Sequence, residues 1–147
     1  MRIRKTESSA ARGAQQPAAR TARSGLSLFS REITRQEKLS DSHRSELEIL
    51  SQEIDELAGI VTREPTIPNF TRFRESLGRL TSRITQEAYR LERIGGTPQN
   101  PRYYEIISVI NQESDRLYHE ILQRRKDTLA ITAQVVGIKG LVIDLMT

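Results

Sequence analysis

Leu47, Leu50, Ile54, Leu57 and Val61 recur at spacings of three, four, three and four residues. That period places all five on one face of an α-helix, whereas strand alternation would divide them between two faces. A second run, Phe70, Phe73, Leu77, Leu80, Ile84, Leu91 and Ile94, is patterned in the same way, with only Glu87 out of place. A third run follows after a turn: Tyr103, Ile107, Ile110, Leu117 and Ile121. No strand pattern and no sequence repeat occurs anywhere in the chain. Side chains patterned like this are buried by packing helix on helix, so the expected fold class is all-α.

The punctuation between the runs sets the expected boundaries. Ser40, Asp41 and Ser42 offer N-caps for a first helix over 41–61. Pro65 and Pro68 then interrupt, and Thr66 can cap a second helix over 67–94. Pro68 falls near its start, where no backbone donor is needed. Gly95-Gly96 ends it, because glycine takes the left-handed cap conformation at little cost. In "TPQNP", Asn100 caps and Pro101 starts a third helix. Nothing obliges that helix to stop before the C-terminus, so it is expected over 102–147, a length of about 69 Å. Upstream, "GLSLFSREI" (25–33) carries Leu26, Leu28, Phe29 and Ile33. It reads as a short N-terminal helical segment that docks through Phe29 and Ile33, four residues apart.

These lengths predict an elongated bundle of three main helices. The second helix folds back on 102–126, and the first lies along 127–147, roughly end to end with the second. The alternative is a compact three-helix bundle with the C-terminal end projecting.

Charge is unevenly placed. The formal net charge is +4. Residues 1–24 hold Arg2, Arg4, Lys5, Arg12, Arg20 and Arg23 against Glu7 alone, a net +5, which leaves −1 for the rest. This stretch lacks the apolar content to offset the entropy of ordering, so it is expected to be a disordered basic arm. Residues 25–147 are then a single helical domain. Those six cations are the candidate contacts to phosphate or nucleic acid, by nonspecific and salt-sensitive attraction. An anionic membrane surface would attract them equally. The chain has no cysteine, which fits a reducing compartment, and its N-terminus never reaches an apolar run, so a cytoplasmic location is expected.

The close of the chain, "AQVVGIKGLVIDLMT" (133–147), is its most apolar stretch. Ten large apolar side chains between 129 and 147 favour membrane insertion by about 0.3–0.6 kcal/mol each, but a central Lys or Asp costs about 2.5–3.5. Lys139 is central and Asp144 adds to it, so a transmembrane segment is not expected. On a helix, Ile131, Val135, Ile138, Val142 and Leu145 form one stripe. Ala130, Ala133, Gly137, Gly140 and Asp144 form a second, about 100° round from the first. Leu129, Val136 and Ile143 flank the small stripe, which leaves the sector near Thr132 and Lys139 as the expected solvent face. Two interior glycines cost about 1 kcal/mol each, so the small stripe is expected to be a core seam or an interface that lets a neighbouring backbone approach. Asp144 sits on that seam near a helix C-terminus, where the dipole disfavours an anion, and calls for a cationic partner.

"IKGLVIDLMT" at the C-terminus resembles the closing motif of the YaaR-like family of bacterial proteins. Ile138, Gly140, Leu141, Val142, Asp144 and Leu145 match it, whereas Met146 stands where an aromatic is usual and Gly137 where a polar residue is expected. The helix from Thr66 with its "EAYRLER" and the Phe-containing "LFSREI" are similar too, so the likeness covers about 26–147. The resemblance implies a small, cytoplasmic, all-helical protein. That family is of unknown function, so no catalytic residue carries over.

Chemistry-bearing side chains are sparse. His43 and His119 lack metal-ligand spacing and read as ordinary surface or rim histidines, and no Glu-x-x-His pair of the kind that builds di-metal bundles occurs. Glu87 reads as an acid that reaches solvent or pairs with an arginine. Arg124, Arg125 and Lys126 read as a solvated helix face, Tyr103 as core and Tyr104 as exposed. No catalytic, cofactor or metal site is expected. The expected function is non-enzymatic: a helical scaffold, adaptor or regulatory interaction protein with a protein partner, and a homodimer if the small seam needs a second chain. The alternative is nucleic-acid association through the basic arm.

Overall fold

The computed structural model describes the backbone from Ala18 to Thr147, and burial from residue 25 onward except at Leu26. Four helices are described: α1 (Ala18–Arg63), α2 (Ile67–Arg93), α3 (Tyr103–Leu122) and α4 (Thr128–Met146). Among the described residues there is no strand, so the fold is all-α as expected.

Two boundaries differ from the sequence reading. Helix α1 runs unbroken through Ser40, Asp41 and Ser42, and the expected short segment at 25–33 is part of it. A capping residue starts a helix only where the residues before it have reason not to be helical. Here "REITRQEKL" is rich in good helix formers, and Gln36 donates to Glu32 at 2.9 Å across one turn. The helix begins at Ala18, inside the expected basic arm, while residues 1–17 lie outside the described residues. The expected third helix over 102–147 is instead two helices. Gln123 is extended (φ −64°, ψ 142°), and Asp127 opens α4 by accepting a hydrogen bond from the Ala130 amide at 3.1 Å. No apolar residue lies between Gln123 and Asp127 to be held by burial, and the aspartate supplies a fresh N-cap.

The other boundaries fall where expected. Thr66 Oγ1 accepts from the Asn69 amide at 3.3 Å, with Pro68 in the first turn of α2. Gly95 has φ 82° and closes α2. Its amide donates to Glu92 O at 3.1 Å and the Gly96 amide to Leu91 O at 2.8 Å, the paired bonds of a Schellman motif. Asn100 accepts from the Arg102 amide at 2.9 Å and turns the chain into α3, which starts at Tyr103 rather than at Pro101.

The chain divides into two compact units, residues 1–42 and His43–Thr147. In the first, Leu28, Phe29 and Ile33 are all exposed. The second holds every buried residue described. Within it, successive helices run antiparallel. Arg79 meets Glu53 at 2.8 Å, and Arg83 pairs with Glu46 one step further along, so α2 returns along α1. Arg74 pairs with Asp115, and Phe70 packs on Tyr118 with ring centroids 5.5 Å apart, so α3 returns along α2. Asn100 Nδ2 donates to Asp144 O at 2.7 Å, which brings the end of α4 back to the start of α3. Lys139 Nζ lies 3.7 Å from Asp55 Oδ1, which closes α4 against α1. The second unit is therefore an up-down-up-down four-helix bundle, neither of the three-helix arrangements expected. Two of the expected pairings do hold in it, α2 with α3 and α1 with the C-terminal segment.

One continuous core joins all four helices. Ile54, Val61, Phe73, Leu80, Ile110, Leu117, Ile131 and Ile138 are almost wholly buried. Each such side chain contributes roughly 1.5–3 kcal/mol on burial. The stripes read from the sequence supply most of it, with Ala88 buried near the end of the α2 stripe and Ile94 exposed past that helix's end.

Candidate interaction surface

Helix α4 turns its bulky stripe inward: Ile131, Val135, Ile138, Val142 and Leu145 are all buried. The small stripe goes the other way. Ala133, Gly137, Gly140 and Asp144 are exposed, and Ala130 is half-buried. At ~100° per residue Gly140 lies about 160° round the helix from Ile138, nearly opposite the core. A Cβ added at Gly137 or Gly140 would meet nothing within 4 Å. Among the described residues no neighbouring backbone uses the room these glycines leave. The expected solvent sector is also reversed: Thr132 and Lys139 are half-buried, and Lys139 pairs with Asp55 on α1.

The outer face of α4 is strongly apolar. Leu129 is 83% exposed, Val136 61% and Ile143 64%. With Ala133 and Gly140 they form a run spaced four, three, four and three residues, a heptad seam that alternates bulky and small. The helix thus carries two heptad seams on opposite sides, one built into the core and one open. A helix that is apolar all round normally has cover all round. Among the described residues α4 is also the one helix long and apolar enough, by length and composition, to cross a membrane. Its inner stripe, however, is committed to the core shared with α1, α2 and α3.

The ends of this face carry charge. Arg124, Arg125 and Lys126 in the linker before α4 are exposed, and none forms an ion pair among the described residues. Asp144 at the far end forms no such pair either, so no described residue makes the ion pair expected for its carboxylate. Arg102 is near enough to feel Asp144, but its guanidinium bonds Glu105 at 2.6 Å.

The remaining candidate side chains are structural in their surroundings. Glu87 pairs with Arg90 through two bonds, Nε to Oε1 at 2.7 Å and Nη2 to Oε2 at 2.8 Å, one of the two outcomes expected for it. That fork holds its carboxyl below the ordinary range despite partial burial. His43 is buried, so the surface half of the surface-or-rim reading does not hold for it. Burial pushes its pKa down, with Glu87 pulling it part of the way back, and its Nδ1 has no hydrogen-bond partner among the described residues. The charged groups of α1 and α2 that surround it give no signal in sequence, because Glu46, Arg83 and Arg90 sit on two different helices. His119 is exposed, Tyr103 is partly buried against the core and Tyr104 is 77% exposed. No group of three or more His, Cys, Asp or Glu that could hold a metal occurs among the described residues. Arg2, Arg4, Lys5 and Arg12 lie outside the described residues. Arg20 and Arg23 fall within α1, with side chains outside the description.

No curated protein matches the chain. The crystal structure of an uncharacterized protein from Bacillus halodurans is similar to it with a TM-score of 0.65 and 22% sequence identity, over 81% of this chain and 98% of that one. At that identity the likeness is one of fold. The sequence match is broader, spanning Ile3 to Met146: the chain belongs to the DUF327 family of proteins of unknown function, the YaaR-like family that its closing residues resemble.

Proposed function

We propose that the protein is a non-enzymatic helical interaction module, a scaffold or adaptor that receives another polypeptide on the outer face of α4. One observation carries this reading: Leu129, Val136 and Ile143 stand exposed beside Gly137 and Gly140, and among the described residues nothing lies over those glycines. Exposed apolar side chains scattered singly are ordinary, but a contiguous seam marks a surface that is covered in use. Glycine inside a helix costs about 1 kcal/mol against alanine, and closeness to a partner backbone offsets that cost.

A photo-crosslinking residue placed at Val136 in the full chain, within its native cell, tests the reading. A discrete protein adduct is expected there and not from the same residue placed at the exposed, polar Arg72 on α2. Equal yields at the two positions would remove the reading.

The segregated charge at the N-terminus favours a second reading, nonspecific association with nucleic acid. Six cations against one acid in residues 1–24 would bind phosphate with a steep salt dependence. Replacing all six with glutamine should abolish binding to duplex DNA. Binding that survives the replacement, or that ignores salt, excludes this reading.

A further inference from the structure

We infer that the occupant of the α4 outer face is a second copy of the same chain, packed with its own α4 antiparallel across a two-fold axis. The inference rests on that face being an interaction surface and adds the identity and register of what covers it.

The open seam alternates in size: Leu129, Ala133, Val136, Gly140, Ile143. A parallel pair of such helices would set Leu129 on Leu129 and Gly140 on Gly140, a clash in one layer and a void in another. An antiparallel pair sets large against small. When Leu129 of one copy lies over Gly140 of the second, Val136 lies over Ala133, and the two-fold axis repeats both contacts. Each of these four layers then holds one bulky and one small residue, with Ile143 beyond the start of the facing helix, so the axes can approach closely. Two-fold symmetry is also the commonest way for a surface to meet itself.

Size alone permits a slip of one heptad, with Ala133 opposite Ile143 and Val136 opposite Gly140. Charge chooses between the two registers. In the first, Asp144 of one copy lies at the N-terminal end of the second copy's α4, where the linker carrying Arg124, Arg125 and Lys126 enters that helix, twice over. In the slipped register it lies opposite Thr132, and the cations have no acid. Asp144 and the cluster at 124–126 lack ion-pair partners among the described residues. The first register supplies both at once. It also runs the two helix dipoles in opposition.

Light scattering on the full chain over a range of concentrations tests this. A dimer is expected, and Gly140→Leu should weaken it by about 30-fold or more, as for loss of a central packing contact. Gly140→Leu will fold, since its side chain enters open space and leucine is the better helix former, and circular dichroism checks that. Asp144→Arg should weaken the dimer, and adding Arg125→Glu and Lys126→Glu should restore it. A monomer at every concentration overturns the inference. So does a dimer indifferent to Gly140→Leu, or one that the triple charge reversal fails to rescue. An adduct from Val136 to a different protein would also overturn it while leaving the proposed function standing. Monomers that sediment with anionic vesicles, with no adduct at Val136, would overturn both.

Discussion

Asn100 and Asp144 are joined across 44 residues: the Asn100 side-chain amide donates to the main-chain oxygen of Asp144 at 2.7 Å. The same side chain accepts from the Arg102 amide at 2.9 Å and so forms the turn into α3. One residue therefore starts α3 and gives a terminal carbonyl of α4 a second donor, closer than the Thr147 amide that reaches it at 3.3 Å. Asn100→Ala loses both bonds and should destabilise the protein by about 1–2 kcal/mol. Asn100→Asp keeps the acceptor and loses the donor, so its loss should be the smaller. Urea unfolding followed by circular dichroism gives both values, and equal losses would assign the whole effect to the turn.

His43 links the end of the core to pH. Burial holds its pKa below the ordinary 6.5, Arg83 and Arg90 push the same way, and Glu87 and Glu46 oppose. The folded protein then binds fewer protons than the unfolded chain as pH falls below 6.5. Its contribution to stability is complete above that value and is lost as pH falls through the depressed folded value. Glu87, held low by Arg90, titrates below its ordinary 4.5 and stays out of this window. The melting temperature should decline from about pH 7.5 to about pH 5, and His43→Leu should flatten that slope. An unchanged slope in the variant would show that another group titrates there.

The two glycines at 95 and 137 should respond to alanine with opposite signs. Gly95 has φ 82°, where a Cβ is strained, so Gly95→Ala should cost about 1–2 kcal/mol. Gly137 is interior to α4 with open space around it, so Gly137→Ala should gain up to about 1 kcal/mol. Thermal melts of the two variants at low protein concentration decide this. A destabilising Gly137→Ala would mean that something already occupies that space.

Which residues share a face is legible on most helices, because helical period needs only spacing, although on α3 the buried face takes Ile106 and leaves Ile107 and Tyr103 partly buried. The stripes at 47–61, 70–84 and 131–145 all line the core. Which face wins the core was harder. On α4 the bulky and small stripes were both candidates, and the glycines pointed to a close neighbour. The bulky stripe takes the interior because each of its side chains contributes to burial and a glycine contributes none. The break at Gln123–Asp127 was legible only in part. Asp127 before Thr128 is a good N-cap, yet no proline or glycine announces the end of α3. The cap forms because folding α4 back onto α3 and α1 buries five side chains that a straight helix would leave exposed. The stretch 27–40 differs for the reverse reason: helix propensity with no buried side chain is enough to carry α1 through it.

Ile138 and Val136, two residues apart, separate the two faces of α4 most sharply. Ile138 is wholly buried, whereas Val136 is 61% exposed. Ile138→Ala should cost about 2–5 kcal/mol through lost transfer energy and the cavity left behind. Val136→Ala, at a concentration too low for association, should change stability by less than about 0.5 kcal/mol. At high concentration the order of interest reverses: Val136→Ala loses cover over its partner and lowers the melting temperature, because association stabilises the folded state by mass action. Melts of both variants over a hundredfold range of concentration measure these effects together. A Val136→Ala effect that is large and independent of concentration would place Val136 inside the chain's own core, and the outer face of α4 would then be no surface at all.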